Sequence, residues 1–225
     1  MCIFLDSGDY RQFVYQLGDV VEKFRVECWG YCVMPNHYHA IFRPTLPNIS
    51  LAMAELNGEY AKWWNRRHQR VGHTFQGRFK DQIVQSENYL LTLCRYVARN
   101  PVRAGLVDDP ATWPWSSYPA TISTKPTPPF LTLAPVLAQF GDDSVATLRA
   151  RFSAYVLGDP QEEALEDRIR SDERVLGDRA FKDAIRRDAS ACSATSGGVR
   201  EEPEGGNAAG PPGSRIRVAA VGSGV

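Results

Sequence analysis

Between Tyr10 and Arg25 the apolar residues Phe13, Leu17, Val20, Val21 and Phe24 recur every three or four positions, the spacing of one helical face. Ser7 and Asp9 precede them as candidate N-caps. The next stretch, ECWGYCVM, is short, apolar and aromatic and stops at Pro35-Asn36; HYHAIFRP then alternates and ends at Pro44. Two such runs joined by a tight turn predict a β-hairpin. Helical spacing returns in NISLAMAELNGEYAKWWNRRH through Met53, Leu56, Tyr60, Trp63 and Trp64, with Asn48 or Ser50 as cap. A further strand is predicted at Gln82 to Gln85. It leads to a helix in SENYLLTLCRYVARN, capped by Ser86, with Leu90, Leu93, Cys94 and Val97 as its apolar face. Pro101 disfavours helical dihedrals at Asn100, so this helix is expected to end there. The predicted order is α-β-β-α-β-α.

The pattern changes at the Pro-rich stretch STKPTPPF, residues 123–130, which reads as a linker between a domain at 1–122 and a helical extension at 131–187. In that extension APVLAQFG and VATLRARFSAYVLGD read as short amphipathic helices, and a charged, helical segment is expected over about 160–187. From Asp188 to residue 225, Gly, Ser, Ala and Pro dominate and periodicity disappears, so a disordered tail is expected there.

Composition narrows the function classes without choosing one. Net charge is zero over 225 residues, so a nucleic-acid partner would have to be argued from local clustering. The five cysteines are Cys2, Cys28, Cys32, Cys94 and Cys192. Cys28 and Cys32 lack the second pair of a zinc knuckle, which fits buried, reduced thiols in a cytosolic protein. No window approaches the ~18 apolar residues of a membrane span, and the start lacks a basic-then-apolar leader. A soluble, cytoplasmic protein is the expectation.

Three stretches hold residues able to do chemistry. His37 and His39 are two of only four histidines, and on a strand residues two apart share a face. They read either as two ligands of an incomplete metal site or as two histidines on the wet face of a hairpin. Tyr96 and Asn100, four apart, share a helical face. Tyr96 is a packing residue or a nucleophile; Asn100 is a helix-end residue or an oxygen ligand one turn away. A phenol with a pKa of about 10 is a poor nucleophile at neutral pH. A divalent metal on His37 and His39 would remedy this by polarising a phosphodiester. Finally, Lys62, Arg66, Arg67, Arg70, Arg78 and Lys80 lie in an interval from Tyr60 to Lys80 that has no acidic residue. Trp63, Trp64, Phe75 and Phe79 are interleaved with them, a mixture suited to a phosphate backbone and unpaired bases, or to a solvated basic helix end. Arg95, Arg99 and Arg103 flank Tyr96 and would surround a phosphate there.

Taken together, VMPNHYHAIF, HTFQGRFK and YVARNPVRAGLV with WPWSSY resemble, in order and spacing, the single-tyrosine HUH transposases of the IS200-like family. They look most like the branch associated with repetitive extragenic palindromes, over about residues 4–120. FLTLAPVLAQFG and VLGDRAF look like C-terminal extensions of part of that branch. The resemblance implies an α+β fold: a ferredoxin-like antiparallel sheet with helices on one face, acting on single-stranded DNA with hairpins, as monomer or homodimer. It implies that His37 and His39 hold Mg²⁺ or Mn²⁺, with Asn100 as third ligand. Tyr96 would attack to leave a 5′-phosphotyrosine and a free 3′-hydroxyl. The DNA-binding set expected from the basic stretch and the arginines flanking Tyr96 is Lys62, Arg66, Arg67, Arg70, Arg78, Lys80, Arg95 and Arg103. The family begins with a strand that is central in the sheet, and MCIFLDSGDYRQF is too short to supply it, so that first strand is expected to be missing. Two other readings stay open: a hairpin-DNA-binding protein without catalysis, and a metal hydrolase of a small phosphoester in which Tyr96 only packs.

Overall fold

A computed structural model describes residues 2–75, 79–158, 174–194 and 215–221; the side chains of residues 80, 81, 86–88, 188–194 and 215–221 lie outside that description. Helix α1 (Ser7–Phe24) is capped by Asp6, whose carboxylate accepts from the Gly8 N–H at 2.7 Å and the Asp9 N–H at 3.3 Å. Neither Ser7 nor Asp9 is the cap, because the chain is extended at Asp6 and the Asp9 carboxylate turns into the interior. Strands β1 (Val26–Met34) and β2 (His37–Pro44) form the predicted hairpin, closed by the Met34–His37 pair. Helix α2 (Ile49–Arg67) follows, and β3 (Lys80–Gln85) runs directly into α3 (Ser86–Arg103).

Helix α3 does not stop at Asn100. Pro101 sits inside its last turn, where the ring removes one hydrogen bond and little else. The stop is made instead at Gly105, which takes φ +66°: Leu106 N–H donates to the Pro101 carbonyl at 2.9 Å and Gly105 N–H to Val102 at 3.0 Å. That pair of bonds is a Schellman closure, and only glycine enters its left-handed position without a steric penalty.

The extension carries α4 (Tyr118–Thr121), α5 (Ala134–Leu137) and α6 (Val145–Leu157), then strand β4 (Val175–Leu176) and helix α7 (Arg179–Ala194). Its apolar residues Leu131, Val136, Leu148, Phe152 and Val156 belong to the same buried cluster as the first hundred residues. Residues 123–130 therefore hand the chain from one part of a continuous core to another. Half of the charged segment over 160–187, residues 160–173, falls outside the described residues, and its end runs through β4 and into α7.

The sheet holds the main departure from expectation. Its order is β1-β2-β5-β3-β4, where β5 is Arg215–Val221. This last strand comes from the tail expected to be structureless, and it takes an interior place in the sheet. It is antiparallel to both neighbours. The Gly- and Pro-rich composition before it masked a short alternating segment, Arg215-Ile216-Arg217-Val218. Residues 195–214 and 222–225, the remainder of that tail, lie outside the described residues. Near the start of the chain, Ile3 and Phe4 donate to the Pro35 carbonyl at 2.9 and 3.0 Å, crossing over the hairpin turn instead of joining the sheet.

Helices cover both faces, not one. Tyr38 packs on Phe13 of α1 at 4.6 Å between ring centroids and donates from its hydroxyl to Asn57 of α2 at 2.8 Å. Its neighbour His39 meets Tyr96 of α3 at 5.5 Å. Successive strand residues point to opposite faces, so α1 and α2 lie on one side and α3 on the other. The outer edge of β1 is covered by WPWSSY and FLTL: Val33 N–H donates to Trp115 at 2.9 Å, Ser117 N–H to Tyr31 at 2.9 Å and Thr132 N–H to Cys28 at 2.8 Å. An edge satisfied in this way offers no template for another strand. Cys28, Cys32 and Cys94 are buried and unbridged, and burial pushes the Cys28 and Cys94 thiols up to about 12, which leaves them unreactive.

Candidate functional site

His37 and His39 share the α3 face of β2, their rings 4.9 Å apart and perpendicular. Neither lies on a wet surface: His37 is half-buried and His39 is 8% exposed. Burial holds both imidazoles below the ordinary range, and burial with the neighbouring His37 brings His39 down to about 3. Both are therefore neutral at physiological pH, the form in which imidazole binds a metal. Asn36 Oδ1 accepts from His37 Nδ1 at 2.7 Å. That bond places the proton on Nδ1 and leaves the Nε2 lone pair available, the usual way an outer partner prepares a histidine ligand.

The third member arrives on α3. Tyr96 is 9% exposed and its ring stands edge-on to His39. The Arg103 guanidinium lies 5.0 Å from the centre of the Tyr96 ring, two helical turns along. Asn100 is half-buried and donates from Nδ2 to the Tyr96 carbonyl at 2.9 Å, which leaves its oxygen as the group able to meet a cation. Among the described residues no cluster of three or more His, Cys, Asp or Glu could hold a metal ion. The two neutral imidazoles supply only two uncharged donors, which would fit a divalent cation only with further oxygen ligands from a side chain such as Asn100, solvent or a phosphate.

The basic residues divide. Arg67 is tied to Asp6 at 2.8 Å and also to the buried Asp9. Lys62 pairs with Glu59 at 2.7 Å in solvent, while Arg66 is exposed on α2 and Arg70 is exposed just beyond its end. The interval holds no acid of its own, yet acids come to it from α1 and from one turn back on α2. Arg95 is buried with its guanidinium 4.8 Å from the centre of the Tyr155 ring of α6, away from the Tyr96 face, and Arg99 donates to the Gly158 carbonyl at 3.3 Å. Arg78 lies outside the described residues, as does the side chain of Lys80. The interleaved aromatics are largely core: Trp64 and Phe75 are buried and Trp63 packs on Tyr60 at 5.9 Å. The structure thus brings His37, His39, Tyr96 and Arg103 together, while Asn100 lies one turn beyond Tyr96 with its amide bonded to its own helix. Asn36, the partner of His37, was not singled out because Pro-Asn reads first as turn chemistry.

Residues 4–100 match the family described as "Transposase IS200 like". The chain is 26% identical over 110 residues to a Haemophilus influenzae protein named "Putative REP-associated tyrosine transposase", covering 43% of this chain and 61% of that relative. It thus spans about three fifths of that relative's length. No solved structure matches it. The family match contains His37, His39, Tyr96 and Asn100 and leaves Pro101 to Val225 outside it.

Proposed function

We propose, from the match of residues 4–100 to the family described as "Transposase IS200 like", that this protein nicks and rejoins single-stranded DNA at hairpin-bearing sequences, with Tyr96 as the nucleophile. The observation that carries this reading is the meeting of two elements at one point, the Tyr96 ring against His39 and His39 against His37. His37 and His39, with the Asn100 oxygen, would hold Mg²⁺ or Mn²⁺, which when bound polarises a phosphodiester. Asn36 keeps the Nε2 lone pair of His37 directed outward, and burial keeps His39 neutral. Tyr96 attacks phosphorus through its phenolic oxygen; the bond to the 3′ oxygen breaks, leaving a 5′-phosphotyrosine and a free 3′-hydroxyl. The reverse attack by a 3′-hydroxyl rejoins the strand. Arg103, beside the same ring, supplies positive charge where the phosphate is carried. Exposed Lys62, Arg66 and Arg70 provide backbone contacts away from the reacting phosphate, with Arg78 and Lys80 continuing that stretch in sequence.

The same reading takes the sheet as a ferredoxin-like arrangement with its interior strand supplied by β5. The antiparallel pairing of that strand to both neighbours supports it. Among the described residues no helix is long and apolar enough to cross a membrane.

The test is incubation with a labelled single-stranded hairpin oligonucleotide and Mn²⁺. A covalent protein–DNA adduct is expected, and Tyr96→Phe should abolish it. DNA binding with no adduct from the unaltered chain would favour the second reading, a hairpin-binding protein without catalysis. That reading draws on the Asn100 amide being engaged with its own helix.

A further inference from the structure

The two halves of the site are linked within the sheet by a single strand. β2 carries His37 and His39, and β3 leads directly into α3, which carries Tyr96. β2 and β3 do not pair with each other; in the order β1-β2-β5-β3-β4 each pairs with β5. Ala220 stands opposite His39 on one side and Lys80 on the other, and Ala219 opposite Ala40 and Asp81. Five residues of β2 and six of β3 are held in register through this strand. A one-residue slip of such a ladder turns a strand over, and here it would move His39 away from the Tyr96 face.

The strand is also remote from everything it joins. It follows α7 across residues 195–214, 20 residues of which six are Gly and three Pro, and it lies beyond the family match at residues 4–100. Recognition of an extended segment by two open strand edges rests on main-chain hydrogen bonds and needs no covalent continuity.

We propose that the slot between β2 and β3 is a strand-binding site, that residues 215–221 are its ligand, and that their docking aligns the His37/His39 strand with the Tyr96 helix. The segment positions both halves of the site without touching substrate, and the slot accepts it equally when it is supplied as a separate peptide. This rests on strand pairing and stands whether or not Tyr96 cuts DNA.

The test keeps the full chain. A site-specific protease sequence is inserted between Gly206 and Asn207, and the folded protein is cleaved there. The C-terminal fragment should stay bound through gel filtration, and a labelled peptide of residues 215–225 should replace it saturably by fluorescence anisotropy. The same peptide with Ala219→Pro should bind about tenfold more weakly, the equivalent of one lost ladder hydrogen bond. After dilution frees the fragment, amide exchange should quicken at Tyr38 to Phe42 and at Gln82 to Val84, while α1 stays protected. Release of the fragment with unchanged exchange in β2 and β3 would overturn the proposal. So would simultaneous loss of protection throughout, α1 included, since the strand would then be an inseparable part of the core.

Discussion

His39 and His68 each lie against an aromatic ring, Tyr96 at 5.5 Å and Trp64 at 4.7 Å, yet their surroundings differ in kind. His68 Nε2 is hydrogen-bonded to Asp9 Oδ1 at 2.9 Å, and the same fully buried carboxylate also takes Arg67 and the Leu5 N–H, the last at 2.8 Å. This cluster is closed: one acid gathers two basic groups and a backbone donor, and fastens the start of α1 to the end of α2. The His37–His39 cluster is open, holding two neutral rings, one of them oriented by Asn36, and a phenol beside them. The closed cluster stabilises, whereas neutral imidazoles beside a phenol are groups that a ligand can use.

The largest test of that contrast is Asp9→Ala. Removing the shared acid leaves Arg67 and His68 beside a buried gap, and we expect a loss of about 3 kcal/mol in urea unfolding. Mn²⁺ binding to the protein that remains folded should be unaltered. A loss below about 1 kcal/mol would show that the cluster holds little.

The open cluster is probed by acid. Burial depresses the folded-state pKa of His39 to about 3, whereas in the unfolded chain it titrates near 6.5. The unfolded state therefore binds the extra proton between these values. Stability is complete above about pH 6.5 and falls as the pH is lowered towards 3, with a slope approaching 1.4 kcal/mol per pH unit for one proton. Calorimetry in metal-free buffer should show a shallower fall in His39→Gln. Equal slopes for the two proteins between pH 6 and pH 5 would contradict the neutral, buried imidazole.

The smallest effect is expected at the solvated end of α2. Lys62→Ala breaks an exposed pair with Glu59 and should change stability by no more than about 0.5 kcal/mol. If this end tracks the DNA backbone, the same substitution lowers the salt dependence of hairpin binding by about one ion, measured as the slope of log affinity against log salt. An unchanged slope would remove Lys62 from the DNA-binding set.

Much of this was legible in the chain. The period of Phe13, Leu17, Val20 and Phe24 specified α1, and the Pro35-Asn36 turn specified the hairpin, because both depend on near neighbours. The pairing of His37 with His39 followed from strand alternation alone. The basic stretch was less legible. Arg67 reads as a DNA-backbone contact or a solvated helix end until α1 brings Asp9 to it, and Arg95 reads as a phosphate contact until α6 brings Tyr155. Pro101 read as a helix stop although Gly105, four residues on, carries the closure.

The sequence by itself determined which segments are helices and hairpin strands, and that two histidines share one face. Those properties depend on φ/ψ preference and on the 3.6 and 2.0 periods, which operate over a few residues. Only the tertiary structure decided that Tyr96 meets His39, that an acid from the first helix neutralises the end of the second, and that the sheet is joined across its middle by residues 215–221. Such contacts connect positions tens to nearly two hundred residues apart. Their selection rests on which faces and edges remain uncovered once every element has formed, and no local pattern records that.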